Sequence, residues 1–231
     1  MEDVFAEIIT IGDEILYGQI TDTNSQWIGK ELGKLGFRII RKVSVGDERN
    51  EVISALKQAE ARASVIIITG GLGPTKDDIT KKTIADYVGD QLEMNEAVLK
   101  NIERIFKIRN REMNDLNKSQ AYVPSKSTVL MNTLGTAPGM WIDHNDKVFI
   151  SLPGVPHEMK KIMIDFALPK LRDAFPTPYI HHLMIKTIGI GESRIAPMIE
   201  SWENALPKHI KLAYLPRLGQ VRLRLTGTGS G

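Results

Sequence analysis

Cysteine is absent from all 231 residues, which excludes disulfides, thiolate metal sites and cysteine nucleophiles. An excess of one charge is almost absent too. Thirty Lys and Arg stand against 28 Asp and Glu, and a net charge of +2 is too small to argue for a polyanionic partner. Nucleic acid is therefore not expected to bind. No apolar run approaches the length of a membrane span, and no basic region followed by an apolar core precedes the first strand. A cytoplasmic protein without a membrane partner is expected. Aromatic residues make up only 6%, and Trp27, Trp141 and Trp202 lie far apart, as packing residues do and a base-stacking platform does not.

What is present is a pattern of apolar runs ending in glycine turns. Ser64-Val65-Ile66-Ile67-Ile68 has no alternation, the mark of a strand covered on both faces in a parallel sheet. It runs into Thr69-Gly70-Gly71-Leu72-Gly73-Pro74-Thr75-Lys76-Asp77-Asp78-Ile79-Thr80. Gly70, Gly71 and Gly73 remove Cβ atoms where the backbone must turn and where N–H groups can approach an anion. A helix from Asp78 to Val88, closed by Gly89, would put its positive end beside that anion, with Asp77 or Asp78 as its cap. The Gly-Lys-Ser/Thr ending of a P-loop and the spacing of a dinucleotide fingerprint are both missing.

Upstream, Val4–Ile11 reads as a strand ending at Gly12-Asp13-Glu14, and Thr23, read as the cap in a capping box with Asn24-Ser25-Gln26, precedes a helix with Ile28, Leu32 and Leu35 on one face. Phe37–Val45 reads as a second strand, followed by a loop through Asp47 and a helix through Val52, Leu56 and Ala59. The β-α-β-α-β-α order predicts an α/β fold, a three-layer Rossmann-like and mostly parallel sheet, with ligands at the carboxyl ends of its strands. Downstream come a helix over 95–106, an exposed helix or lid over 107–119 with Arg109 and Arg111, and a hairpin from Met140 to Leu152. The rigid Pro153-Gly154-Val155-Pro156 loop then leads a helix with Met159, Ile162, Met163 and Phe166 on its apolar side. Pro176-Thr177-Pro178 marks a linker. The expected division is residues 1–175 for a nucleotide- or pterin-binding domain and 176–231 for a small β-α-β-β second lobe of α+β type. The latter ends in a flexible Gly227–Gly231 tail, as a fragment of something longer would.

Acidic residues recur after successive strands: Asp13 or Glu14, Asp22, Asp47, and the Asp77-Asp78 pair. Together they could hold Mg²⁺ or a similar hard cation alongside substrate phosphates, although each alone serves equally as a cap or turn former. Ser25, Ser151 and Ser193 lack the strained elbow of an acyl-transfer nucleophile, and His157, His181 and His182 lack metal-ligand spacing. Arg222 and Arg224 alternate with Val221, Leu223 and Leu225, as on the solvent face of a strand.

Five ordered motifs carry a family resemblance: Gly12-Asp13-Glu14-Ile15-Leu16; Asp22-Thr23-Asn24; the glycine loop through Asp78; Asn132 with Gly135-Thr136-Ala137-Pro138-Gly139; and Leu152-Pro153-Gly154-Val155-Pro156-His157-Glu158-Met159. They resemble the N-terminal region of the CinA family of competence/damage-inducible proteins. That region is itself similar to the molybdopterin-binding domains of MogA and MoaB. Asp78 and Thr80 match the Asp-x-Thr of those proteins and Asp47 a second acidic position, while Leu72 stands where they carry threonine. The resemblance implies a pyrophosphatase that converts ADP-ribose to AMP and ribose 5-phosphate, using Mg²⁺, Co²⁺ or Mn²⁺ with potassium. It also implies a homodimer, a KH-like second lobe, and no nicotinamide-nucleotide deamidase domain in this chain. On that reading Asp78, Asp47 and Glu14 are catalytic, with Asp78 and Glu14 on the metal. The substrate then meets Gly12, Asp13, Asp22, Asn24, Gly70, Gly71, Gly73, Pro74, Thr75 and Thr80 from the first half. Asn132, Gly135, Thr136, Pro138, Gly139, Pro153, Gly154 and Glu158 complete its contacts.

Overall fold

The computed structural model describes residues 3–75 and 78–229. Its centre is a six-stranded sheet of β1 (Phe5–Ile11), β2 (Arg38–Val45), β3 (Val65–Thr69), β6 (Thr128–Leu130), β7 (Gly139–His144) and β8 (Lys147–Leu152). The strand order is β2-β1-β3-β8-β7-β6. The first four run parallel, and β7 and β6 are antiparallel additions at one edge. The chain turns one way from β1 to β2 and the other way to β3, so the crevice at their carboxyl ends is a switch point where α/β sheets bind ligands.

Alternate residues of β1 and β3 feed two separate cores. Ala6, Ile8, Val65 and Ile67 pack with Ile28 and Leu32 of α2 (Thr23–Lys34), which follows the single turn α1 (Asp13–Leu16), and with Met159, Ile162 and Leu171 of the helical stretch after β8. Ile9, Ile11, Ile66 and Ile68 pack on the other face with Val52, Leu56 and Ala59 of α3 (Arg49–Glu60) and Ile84 of α4 (Thr80–Tyr87). Burial on both faces is why β3 shows no alternation. Between α4 and β6 the chain makes an excursion: the short strands β4 (Leu92–Met94) and β5 (Tyr122–Pro124) pair with each other and flank α5 (Glu96–Ile108) and α6 (Asp115–Ser119). Sequence periodicity missed β4, β5 and β6 because three residues do not display a period.

Three local expectations are corrected. The cap of α2 is Asp22, whose carboxylate accepts from Ser25 N at 2.8 Å, so Thr23 is already helical. After β8 the helix is interrupted: α7 (Pro156–Ile162) passes through a π turn (Met163–Ala167) into α8 (Leu168–Ala174). A π turn holds an extra residue, and Pro169 has no amide hydrogen with which to continue an α ladder. Phe166 is therefore rotated outward to 37% exposure, and Leu171 continues the buried stripe. The expected tail is β-strand through Gly229, while Ser230 and Gly231 lie outside the described residues, as does the cap assigned to Asp77.

The second lobe is the expected β-α-β-β: β9 (Tyr179–Ile188), α9 (Glu192–Asn204), β10 (Ile210–Arg217) and β11 (Gln220–Gly229). These strands form a separate antiparallel sheet in the order β10-β11-β9, and α9 covers one face through Ile195, Val221 and Leu223. Among the described residues no helix is long and apolar enough to cross a membrane.

Candidate functional site

The switch-point crevice is a cavity of about 590 Å³, within the range of small-molecule sites. The carboxyl end of β1 supplies Ile11, Gly12 and Glu14, and the end of β3 supplies Gly70, Gly71, Leu72, Gly73, Pro74 and Asp78. The loop after β2 adds Asp47, the loop before β7 adds Thr136 and Ala137, and the β8–α7 turn adds Pro153, Gly154, Val155 and Glu158.

Backbone geometry explains the glycines. Gly70 has φ +111°, and a Cβ there would drive into the carbonyl oxygen of Ile11, so β1 and the loop can meet only if position 70 has no side chain. Gly71 has φ +61° and leaves its Cβ space to the hydroxyl of Thr80. Gly73 leaves space for the Asp78 carboxylate, Gly135 for that of Glu158, and Gly12 for that of Glu14.

Asp78 does not cap α4. Its carboxylate turns back onto the loop and accepts from Gly73 N at 2.7 Å, from Thr75 N at 2.9 Å and from the Thr75 hydroxyl at 2.6 Å. Two of the loop amides read as a phosphate seat, those of Gly73 and Thr75, are thus already occupied by an internal anion. Asp47 accepts from Asp13 N at 3.1 Å. Burial, together with the negative charges of Asp13, Glu14 and Asp78, holds its carboxyl above the usual aspartate range despite that hydrogen bond. Asp13 itself packs its carboxylate against Gly46 and does not line the cavity.

Other expected contacts turn out to be supports. Asp22 accepts from the Thr10 hydroxyl at 2.8 Å besides capping α2. Asn24 is buried and donates to Thr69 Oγ1 at 3.1 Å and to Gly154 O at 2.7 Å, tying α2 to the turns after β3 and β8. Both line a small side chamber that shares Glu14, Gly70 and Gly154 with the main cavity. Thr80 is fully buried beneath Gly71, and Thr75 faces the outer side of the loop with Asp78. Pro138 and Gly139 are buried at the start of β7, where Gly139 packs against Ile162 and Leu130.

Asn132 is also buried outside the cavity, yet it organises one wall. Its Nδ2 donates to Ala137 O at 2.8 Å and to Glu158 Oε2 at 2.7 Å, and its Oδ1 accepts from Leu134 N and Gly135 N at 3.0 and 2.9 Å. Replacing it by alanine leaves two amides and a carbonyl unpaired in the interior. Asn132→Ala is therefore expected to cost on the order of 3 kcal/mol in a urea melt, and a loss below about 1 kcal/mol would mean that these bonds do not hold the loop.

Two residues beside the loop carry no sequence signal. Gln120, at the α6–β5 junction, is buried and donates from Nε2 to Leu72 O at 3.2 Å. Lys81 donates to Gln120 O at 3.2 Å and to Ser119 O at 3.5 Å. Burial pulls its ammonium down to about 8 while Asp78 pulls the other way. Gln120 belongs to no local motif, because the excursion brings it to the loop, whereas Lys81 stands on α4 one residue past the loop and is set apart only by its contacts with that excursion.

As possible cation ligands, the acids around the cavity offer hard oxygen donors. Both Asp78 oxygens are engaged, however, and among the described residues no three His, Asp or Glu side chains group closely enough to hold a metal by themselves. The arrangement fits a divalent cation when substrate phosphates supply the remaining oxygens, the usual habit of Mg²⁺.

Residues 7–173 match the family described as a probable molybdopterin binding domain, and residues 182–231 match the damage-inducible protein CinA KH domain. A CinA-like protein of Cytophaga hutchinsonii is 58% identical over 98% of this chain and 54% of its own length. The chain thus spans about half the length of that relative. The crystal structure of a CinA protein of unknown function from Thermoplasma acidophilum is 32% identical, with a TM-score of 0.66 over 72% of this chain and 98% of its own. MoaB from Thermus thermophilus, a molybdopterin biosynthesis enzyme, has a TM-score of 0.51 over 74% of this chain and 93% of its own; at 18% identity the likeness is one of fold.

Proposed function

This chain belongs to the CinA family, and we propose that its cleft hydrolyses the phosphoanhydride of a nucleotide diphosphate such as ADP-ribose, giving AMP and ribose 5-phosphate. The observation that carries this reading is the convergence of Glu14, Asp47 and Asp78 with the Gly12 and Gly70–Gly73 turns on one cavity. The Gly73 and Thr75 amides become available to phosphate oxygens when the Asp78 carboxylate turns from them, and water reaches the phosphorus from the acidic side. Asp47, biased toward holding a proton, takes the one that water releases as the new P–O bond forms and the bridging P–O bond breaks. Glu14 and Asp78, with the phosphates, would hold a divalent cation, which would supply neutralisation of the anhydride charge. Lys81, at the outer side of the loop, adds positive charge below about pH 8, where its ammonium is protonated. Leu72 in place of threonine argues against adenylyl transfer to a pterin.

Incubation with ADP-ribose, K⁺ and Mg²⁺, Mn²⁺ or Co²⁺ is expected to release AMP on chromatography, and chelator is expected to stop it. Because Asp47 must be ionised to accept the proton, the rate is expected to rise with pH through a carboxylate limb displaced above the ordinary aspartate range. Asp47→Asn should remove that limb. Silence with all three metals would sink the hydrolase reading. A second reading, non-catalytic binding of nucleotide or pterin, is favoured by the triple engagement of Asp78. Calorimetric binding of ADP-ribose without turnover would select it.

A further inference from the structure

The glycine loop has a second side. Away from the cleft, a chamber of about 290 Å³ lies between the loop with the first turn of α4 and the excursion, near the lower end of the range for small-molecule sites. Lys81 and Lys82 line it from α4, Leu92 from β4, Gln120 from the α6–β5 junction and Tyr122 from β5. Two of these residues are incompletely matched. Lys81 is half-buried, yet its ammonium donates to the carbonyls of Ser119 and Gln120, and among the described residues no carboxylate lies within ion-pair distance of it. Asp78, the one carboxylate on the chamber wall, attracts it from the loop but keeps its own oxygens on Gly73 and Thr75. A charge withdrawn from water without a counter-ion costs stability. Gln120 is 2% exposed, and its Nε2 is fixed on Leu72 O, which can only accept; its Oε1 is then the other end of the amide and meets no donor. An unmatched cation and an unmatched acceptor thus line the same small chamber.

We propose that this outer chamber binds a nucleoside 5′-monophosphate, at a site separate from the cleft. The phosphate is the counter-ion for Lys81, with Lys82 beside it. Lys82 is exposed and shares Asp86 with Arg49, a surface pairing worth little, so its ammonium can turn to a phosphate at small cost. The nucleoside answers the rest of the wall. A ribose hydroxyl or a ring N–H supplies the donor for Gln120 Oε1, and the base lies against Leu92 and the ring of Tyr122, which is 39% exposed. Stacking on a ring face tolerates any base, so the chamber selects the class of nucleotide and not the base. Gly73, Pro74 and Asp78 wall both the chamber and the cleft, which places the two sites back to back on one loop. None of the chamber's contacts requires a metal or a reaction, and the site does not depend on the pyrophosphatase reading.

The test is calorimetry of UMP, which is neither substrate nor product of the proposed hydrolysis, with the 231-residue protein in the presence of chelator. One molecule per chain is expected to bind, with a Kd below about 1 mM. Lys81→Gln should weaken binding by about tenfold or more, the worth of a charge-assisted hydrogen bond. Tyr122→Ala, on the opposite wall, should weaken it by about fivefold or more, the worth of a stacked base. Ribose 5-phosphate, which has no base, should bind the parent protein by a similar factor more weakly than UMP does. Glu14→Gln changes the cleft and not the chamber, and should leave UMP affinity within about twofold. Circular dichroism checks each variant, and if Lys81→Gln misfolds, Tyr122→Ala carries the test. No binding up to about 1 mM UMP, or affinity unchanged in the folded variants of the chamber, overturns the proposal. A larger change in Glu14→Gln would also overturn it and put the nucleotide in the cleft, and equal binding of ribose 5-phosphate would do so by showing that the aromatic wall is not used. AMP release from ADP-ribose is a separate assay, so either reading can fail without the other.

Discussion

Asp78→Asn is expected to lower AMP release from ADP-ribose by about a thousandfold or more while leaving the chain folded. The carboxylate does two things that an amide cannot. Its two oxygens accept from Gly73 N, Thr75 N and the Thr75 hydroxyl, and its charge is one of the hard donors facing the cavity. Asparagine of the same shape must turn an NH₂ group toward one of those amides, which misplaces the loop and removes the charge together. A companion variant separates the two losses. Thr75→Val deletes the 2.6 Å hydroxyl bond and keeps the carboxylate, so its effect should stay near tenfold, the worth of one charge-assisted hydrogen bond. Single-turnover assays of both proteins, with circular dichroism as the check on folding, decide the matter. Activity of Asp78→Asn within tenfold of the parent would remove Asp78 from the chemistry.

Gly70→Ala is expected to give a large loss of stability for the addition of a single methyl group. Two costs coincide there: a φ of +111°, and a Cβ aimed at the Ile11 carbonyl, which sits in the backbone of β1 and cannot rotate away. Together they should cost about 3 kcal/mol or more, or roughly 6–12 °C in melting temperature for a chain of this size. Gly89→Ala is the control. Gly89 shares the left-handed backbone, at φ +64°, but an added Cβ meets nothing within 4 Å. Only the conformational term remains, about 1 kcal/mol. Equal melting temperatures for the two variants would show that the close approach of β1 and the glycine loop is not maintained in solution.

Much of this architecture is legible in the chain. The uninterrupted run Val65–Ile68 announces a doubly covered strand because both of its faces are buried, and the glycines after it announce a turn that meets other backbone. What local pattern cannot give is direction. An aspartate just before a helix reads as a cap, yet Asp78 faces backwards to Gly73 and Thr75, and the first amide of α4, Thr80 N, donates instead to Gly71 O. Asn132 and Asn24 sit in recognisable motifs, but their side chains hold loops together from beneath the cavity. Gln120 meets the loop through a long excursion and leaves no local trace, while Lys81, next to the loop in sequence, is distinguished only by its contacts with Ser119 O and Gln120 O.

The bonds from Asp78 to its own loop also set the terms on which any ligand enters. A phosphate seeking those amides does not find an empty seat; it competes with a tethered rival whose local concentration, fixed by a linker of a few residues, is in the millimolar range or above. Free inorganic phosphate offers the displaced carboxylate nothing in return. A phosphate that arrives with a cation gives Asp78 a new partner as it leaves. On the proposed hydrolase reading, the loop would thereby favour metal-bound diphosphates over free phosphate, a selectivity that comes from exchange and not from shape.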